Sequence, residues 1–240
     1  MRRLGLACAG LALIAGAAAP ALGQARHEHR GAEQAHRAPE RARRGYADPS
    51  AVITAELAFA RLAQEKGQWA AFAATAAPEA EMFVPQRVKA REWLKKRANP
   101  AVAVQWQPTE VWMSCDGSYA VTRGPWQRAN AVGYFTTVWQ RQKDGSYKWL
   151  LDQGDTLAQP LPAPEMISAR VAECTPRPPA APEATASPAG TDRKIGWSDD
   201  RTLQWLSQVA MDGSRSFTVR RWTGAGYDEV IHSEVAVEKR

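Results

Sequence analysis

Large apolar residues run along this chain at two different periods. From Val52 they recur three and four positions apart, through Ile53, Leu57, Phe59, Ala60 and Ala63, the stripe of an amphipathic helix. Asp48-Pro49 places a capping residue and then a proline ahead of the stripe, and Gly67 supplies a stop. A second, short helix is predicted around Trp69, Phe72 and Ala76, stopping before Pro78. Glu81-Met82-Phe83-Val84 reads as a short strand closed by Pro85. Lys89 to Arg97 reads as a third helix with Trp93 and Leu94 inward, ended by Asn99-Pro100.

Beyond Pro100 the period shortens to two. Val102, Val104, Trp106, Val111 and Met113 suggest one long strand, which Pro108 confines to an edge or a bulge. Asp116-Gly117 and Asp144-Gly145 are strong hairpin turns. Between them lie a strand through Tyr119, Val121 and Arg123, broken at Gly124-Pro125, and another from Gly133 to Arg141. Tyr147 to Gln153 follows as the last strand of this unit. Three helices and then a bent antiparallel meander define an α+β domain over residues 48–157. Residues 158–192, rich in Pro and Ala, read as an extended linker in which Met166–Cys174 is an apolar patch able to dock. Within 193–240, three strand-like runs, Thr202–Val209, Arg215–Trp222 and Tyr227–Val237, predict a small antiparallel extension that packs on the main domain.

The first 47 residues belong to neither pattern. Met1-Arg2-Arg3, an uncharged Leu/Ala/Gly stretch to Leu22 and the small residues Ala19-Pro20-Ala21-Leu22-Gly23 form a secretory signal over 1–23. The alternative is an uncleaved anchor, and the small-residue, Pro-containing end favours cleavage. Residues 24–47 are too polar to order themselves. They hold His27, His29 and His36, three of the four histidines, without fixed geometry, so no metal site is expected. The expected address is periplasmic or secreted, with no membrane span after cleavage. Cofactors are not expected, because export removes the chain from cytoplasmic nucleotides.

The net charge of +6 invites a nucleic-acid reading, but its location argues against one. Residues 46–192 carry fifteen cationic and fifteen anionic side chains, and the excess sits mainly in the signal and tail. A nucleic-acid surface needs a clustered basic face on the folded part. Of the three cysteines, Cys8 leaves with the signal. Cys115 and Cys174 form an even pair in an oxidising compartment, so a bridge between them is expected, the alternative being two buried thiols.

The element order, together with Ala55-Glu56-Leu57-Ala58-Phe59-Ala60, Lys66-Gly67-Gln68-Trp69-Ala70-Ala71-Phe72, Ser114-Cys115-Asp116-Gly117, Gly124-Pro125-Trp126, Tyr134-Phe135-Thr136-Thr137-Val138-Trp139 and Trp149-Leu150-Leu151-Asp152, resembles the SnoaL-like, or nuclear transport factor two-like, superfamily. The resemblance covers about 110 residues, the usual size of one domain. It implies a cone-shaped domain with a curved antiparallel sheet wrapped around the first helix, an apolar pocket at the open end and a homodimer through the sheet. The superfamily includes isomerases, cyclases, dehydratases and binding modules, so fold alone does not choose the function. The helical tyrosine of its isomerases and the Asp–His arrangement of its cyclases have no counterpart here. No Tyr follows Tyr46 in the helical part, and the main domain has no His.

Two carboxylates and an unusual number of aromatics remain as candidates. Glu56 lies on the apolar stripe of the first helix, where burial would raise its pKa as a general acid or base requires. The alternatives are pairing with a basic residue of the sheet or a place at the stripe's wet edge. Asp152 faces the pocket if Leu150 does, and otherwise is a surface charge beside Lys148. Seven of the ten tryptophans lie in the cone domain. Phe59, Trp69, Phe83, Trp93, Trp106, Trp112, Tyr134 and Trp139 are the candidate lining of a site for a small apolar or aromatic molecule, the alternative being a packed core without a cavity. Trp106 and Trp112 share a face in an unbroken pleat, and a bulge at Pro108 would separate them. The expected function is an exported ligand-binding or protein-interaction module. The second is a lyase or isomerase acting on a small apolar carbonyl compound through Glu56 and Asp152. The third is an envelope accessory protein that makes its contact through the C-terminal strands.

Overall fold

The computed structural model describes residues 47–179 and 190–237. The expected signal peptide, the tail up to residue 46 and residues 180–189 of the linker lie outside them. Helix α1 (Pro49–Lys66) begins as its sequence dictates: Asp48 Oδ1 accepts from the Ser50 amide at 3.0 Å, and Pro49 occupies the first turn. Gly67 ends it, with φ at 99° and its amide donating to Ala63 O. Helix α2 (Gln68–Thr75) follows at once. Its free amides at Trp69 and Ala70 donate to Asn99 Oδ1 at 2.8 and 3.1 Å. Asn99, predicted to end the third helix, therefore caps the second. Strand β1 (Ala76–Phe83) starts earlier than predicted and tolerates Pro78; β2 (Arg87–Lys89) and a short α3 (Ala90–Leu94) follow.

The predicted long strand divides. Residues 107–109 separate β3 (Gln105–Trp106) from β4 (Glu110–Met113), and each pairs separately with β5 (Tyr119–Arg128). β5 runs on through Gly124-Pro125, because β6 (Ala131–Arg141) continues beside it. β7 (Tyr147–Leu157) extends past the predicted end at Gln153, and β8 (Ser168–Val171) forms inside the expected linker. The sheet order is β2-β1-β7-β6-β5-β4-β8, with β3 beside β5. The sheet is mixed, which corrects the antiparallel prediction: β1 runs parallel to β7 and β8 parallel to β4. Only hairpin-linked strands are obliged to be antiparallel, and these two pairs are joined by long excursions. Cys115 and Cys174 are bonded, Cα to Cα 5.3 Å, which ties β8 to the loop after β4.

The C-terminal piece is a separate antiparallel sheet of four strands, not three: β9 (Asp192–Trp197), β10 (Leu203–Val209), β11 (Arg215–Trp222) and β12 (Tyr227–Val235), in the order β12-β11-β10-β9. β9 escaped prediction because Asp-Arg-Lys-Ile-Gly-Trp has no apolar alternation. This sheet packs on the outer face of β5–β7, where Val121, Val138 and Leu151 meet Leu203, Trp205, Phe217, Val219 and Ile231. The opposite face holds α1 and α2 around Phe59, Met82, Trp139 and Trp149.

Polar contacts also hold the layers together, among them a pair of matching turns and a cluster of ion pairs. Ser114-Cys115-Asp116-Gly117-Ser118 and Ser198-Asp199-Asp200-Arg201-Thr202 are matching turns, with Gly117 at φ 67° and Arg201 at 63°. In each, the Asp Oδ1 accepts from the serine hydroxyl two positions before it and from the amide and hydroxyl two positions after it. The turns then bond reciprocally: Asp116 N to Asp200 Oδ2 at 2.8 Å and Asp200 N to Asp116 Oδ2 at 3.0 Å. Elsewhere, buried Glu81 of β1 pairs with Lys89 at 2.7 Å and with Lys194 of β9. Arg87 joins Ser207 Oγ at 2.8 Å and Asp192 at 3.1 Å. Burial pushes the Glu81 carboxyl up, but the two lysines outweigh it and hold it below the usual carboxylate range.

The sheet face expected to pair two copies is thus covered within one chain. A dimer through it would first have to expose Val121, Val138 and Leu151 again. Sedimentation equilibrium is expected to show a monomer. A stable dimer that buries these three side chains against a second copy would contradict this packing.

Candidate functional site

A cavity of about 590 Å³ opens between the helices and the end of the sheet. Phe59 of α1 and Gln68, Trp69 and Phe72 of α2 form one wall. Met82 to Pro85 at the end of β1, with Val104 and Trp106, form the next. β5 adds Trp126 and Arg128, β6 adds Tyr134 and Phe135, and β7 adds Asp152 to Thr156. The aromatic walls pack edge to face, with Phe59 4.8 Å from Phe72 and 4.9 Å from Trp106, centre to centre. Gly133 makes room for Trp126: a Cβ there would lie 2.3 Å from the indole, which crosses β6 and donates to Tyr134 O at 3.0 Å. The Tyr134 hydroxyl is buried and has no hydrogen-bond partner among the described residues.

Glu56 lies behind this wall, not in it. Its side chain is wholly buried and accepts three hydrogen bonds: from Trp106 Nε1 at 2.7 Å, Thr122 Oγ1 at 2.6 Å and Trp139 Nε1 at 2.9 Å. All three donors are neutral, so neither alternative, a basic partner or a wet edge, describes it. Burial raises its pKa, against the pull of Thr122, Trp106 and Trp139. The network tolerates either protonation state, because Thr122 Oγ1 also lies 3.4 Å from Thr137 O and can turn its proton there.

Asp152 lines the cavity, and a bulge puts it there. Trp139 lies opposite Trp149 and Val138 opposite Leu151, so Leu150 has no counterpart and alternation along β7 shifts by one. Trp149 therefore packs toward the helices, Leu151 toward the C-terminal sheet, and Asp152 again toward the helices. Strict alternation, which set Asp152 opposite to Trp149, fails at that residue. Thr122, Thr137 and Asp152 form a row across three strands. Thr137 Oγ1 donates to Asp152 Oδ2 at 2.8 Å. Protein surrounds the carboxyl, which keeps only part of its surface open, beside the cavity. Burial pushes its pKa up to about 7; the Thr137 bond opposes the rise and the charge of Glu56 adds to it. The two candidate carboxylates thus do not share one open cavity.

Of the aromatic candidates, Phe59, Trp69, Phe83, Trp106 and Tyr134 lie in the lining. Three lie elsewhere. Trp93 packs edge-on against Trp69 at 5.1 Å and stacks with Arg97. Trp139 is core, held by Glu56. Trp112 faces the other layer, with Arg221 5.5 Å from its ring centre, because the break at 107–109 separates it from Trp106. The sequence reading missed Phe72, Trp126, Phe135 and the Gly154–Thr156 stretch. Phe72 is visible three positions from Trp69, and Phe135 four positions from Trp139 on the same face of one strand. Trp126 depends on a long-range crossing that no local pattern encodes. Among the described residues no group of three or more His, Cys, Asp or Glu side chains is placed to hold a metal ion, and no helix is long and apolar enough to cross a membrane.

No family model matches the chain, and no curated protein matches it. Solved structures to which it is similar include a candidate ketosteroid isomerase from Parabacteroides distasonis, with 14% identity over 48% of this chain and 97% of that one, TM-score 0.37. Another is a candidate aromatic ring hydroxylase from Novosphingobium aromaticivorans, with 13% identity over 48% and 92%, TM-score 0.35. A third is a candidate ketosteroid isomerase from Kribbella flavida, with 15% identity over 52% and 92%, TM-score 0.32. Likenesses this distant assign no residue and no activity.

Glu56→Gln keeps an acceptor for an indole and is expected to cost about 1 kcal/mol in denaturant unfolding. Glu56→Ala orphans buried N–H groups and is expected to cost roughly 3 kcal/mol or more. Equal losses for the two would mean that the network is not what holds α1 to the sheet. Asp152 has the opposite character. Its folded pKa lies above the unfolded value of about 4, so the folded state binds the proton more tightly. Stability is therefore lost as pH rises from there to about 7. Asp152→Asn is expected to remove this slope and to melt above the natural protein at pH near 8. Parallel melting curves for the two across the range would contradict the assignment.

Proposed function

We propose that the chain is an exported binding protein for a small, flat, largely apolar molecule carrying one hydrogen-bonding group that meets Asp152. The observation that carries the reading is the partly buried Asp152 carboxyl in a largely apolar cavity of about 590 Å³, walled by Phe59, Trp69, Phe72, Trp106 and Trp126. That size and composition are typical of small-molecule sites, in which a few polar groups fix orientation. An ionised carboxylate in this buried place, with no cation paired to it and a neutral hydroxyl, Thr137, donating to it, costs stability, so its placement favours a functional role. Export is supported by the signal pattern at Met1–Gly23 and by the Cys115–Cys174 bridge, which suits an oxidising compartment. Glu56 serves by holding the indole of Trp106 at the cavity wall.

One observation favours a second reading. A carboxyl with a pKa of about 7 is half ionised near neutrality, where a general base works best. Asp152 alone can take a proton from the carbon beside a ketone, leaving an enolate, and return it. The partner acid foreseen in Glu56 is not part of this reading.

2-Naphthol and naphthalene separate the possibilities. The natural protein is expected to bind both, seen as quenching of tryptophan fluorescence, and Asp152→Asn to weaken 2-naphthol by roughly tenfold while sparing naphthalene. If neither compound binds, the cavity reading fails. Catalysed exchange of the ring protons next to the carbonyl of 2-tetralone in D₂O, lost in Asp152→Asn, would move the conclusion to the second reading.

A further inference from the structure

Arg215 begins β11 in the C-terminal sheet, yet its guanidinium ends at the rim of the cavity in the other layer. Nη2 donates to Gly154 O at 2.6 Å and Nη1 to Pro85 O at 3.1 Å. The guanidinium carbon lies 4.9 Å from the centre of the Phe83 ring. Phe83 and Pro85 belong to the end of β1 and the turn after it, and Gly154 stands two residues past Asp152. All three line the cavity. The β1–β7 ladder reaches Met82 opposite Asp152. Past that pair Arg215 spans the two walls.

We infer that Arg215 is a positioning residue that sets the aperture of the cavity, so that the C-terminal sheet governs how a ligand enters and leaves. The inference rests on the cavity being the ligand site. Its physical basis is a charged, planar donor that reaches two carbonyls at once and stacks on a ring, a combination that lysine cannot reproduce. The anchor is firm because β11 is an inner strand of its sheet, and its first residue pairs with Val209 on one side and Val235 on the other. Asp155, which also lines the cavity, acts on Arg215 electrostatically, so a charged group sits on each side of the rim.

Arg215→Met keeps the apolar stem and removes both hydrogen bonds, and Arg215→Lys keeps the charge. Thr202→Ala is the control, since Thr202 Oγ1 accepts from Cys115 N at another contact between the layers and does not line the cavity. In the ligand-free protein, amide hydrogen exchange in Phe83–Gln86 and Gln153–Asp155 is expected to quicken roughly tenfold in Arg215→Met, less in Arg215→Lys, and not in Thr202→Ala. Stopped-flow binding of 2-naphthol is expected to show faster association and faster dissociation in Arg215→Met, with the affinity changed less than either rate. Unchanged exchange at both rim segments overturns the inference, and so does equal quickening in Thr202→Ala, which would mark general loosening. If the natural protein binds no 2-naphthol, the cavity reading fails, while the exchange measurement still decides whether Arg215 clamps the rim.

Discussion

The structure depends on one buried carboxylate. Glu56 projects from the centre of α1 and gathers Trp106 of β3, Thr122 of β5 and Trp139 of β6 around its two oxygens. A fully buried acid is expensive unless its oxygens are satisfied, and here each has at least one donor. The network fixes the depth and rotation of the helix against the sheet. It also sets the orientation of Trp106, whose ring forms a wall of the cavity with Phe59. A hydrophobic stripe alone allows the helix to slide or turn; three directed bonds do not.

The other consequence is a separation of roles between two acids. Both lie on the helix side of the sheet and Glu56 raises the pKa of Asp152, yet one is enclosed and the other borders the cavity. The β-bulge at Leu150 makes the difference, since without it Asp152 would point to the C-terminal sheet. That sheet in turn covers the apolar side chains Val121, Val138 and Leu151 of the outer face. It is fastened by paired turns at Asp116 and Asp200, by ion pairs at Glu81, and by Arg215 at the cavity rim. The same piece that buries the outer apolar face therefore reaches the site on the inner one.

Much of this was legible in the residues, and what was not has physical causes. The cap at Asp48, the stop at Gly67 and the turns at Asp116-Gly117 and Asp144-Gly145 are local signals, and the structure keeps them. The Cys115–Cys174 bridge followed from the expected compartment and from parity. Glu56 stood out because a charge on an apolar stripe demands an explanation, but its donors come from three distant strands. β8 and β9 were invisible because their strand character comes from edges they join, β4 and β10, not from their own alternation. The facing of Asp152 and the parting of Trp106 from Trp112 turn on single-residue irregularities, which a strict period of two does not reveal. Arg201 shows the same limit: it takes the left-handed conformation that Gly117 announces in the matching turn, and nothing in Ser-Asp-Asp-Arg-Thr advertises it.

Asp152 is thus the responsive acid of the cavity, and Glu56 a structural one. Carbon-13 NMR of the side-chain carboxyls across pH tests this assignment most directly. The expected result is a resonance, absent from Asp152→Asn, that titrates near pH 7 and moves when 2-naphthol is added. An Asp152 resonance titrating in the ordinary carboxylate range near 4 and indifferent to 2-naphthol would contradict it.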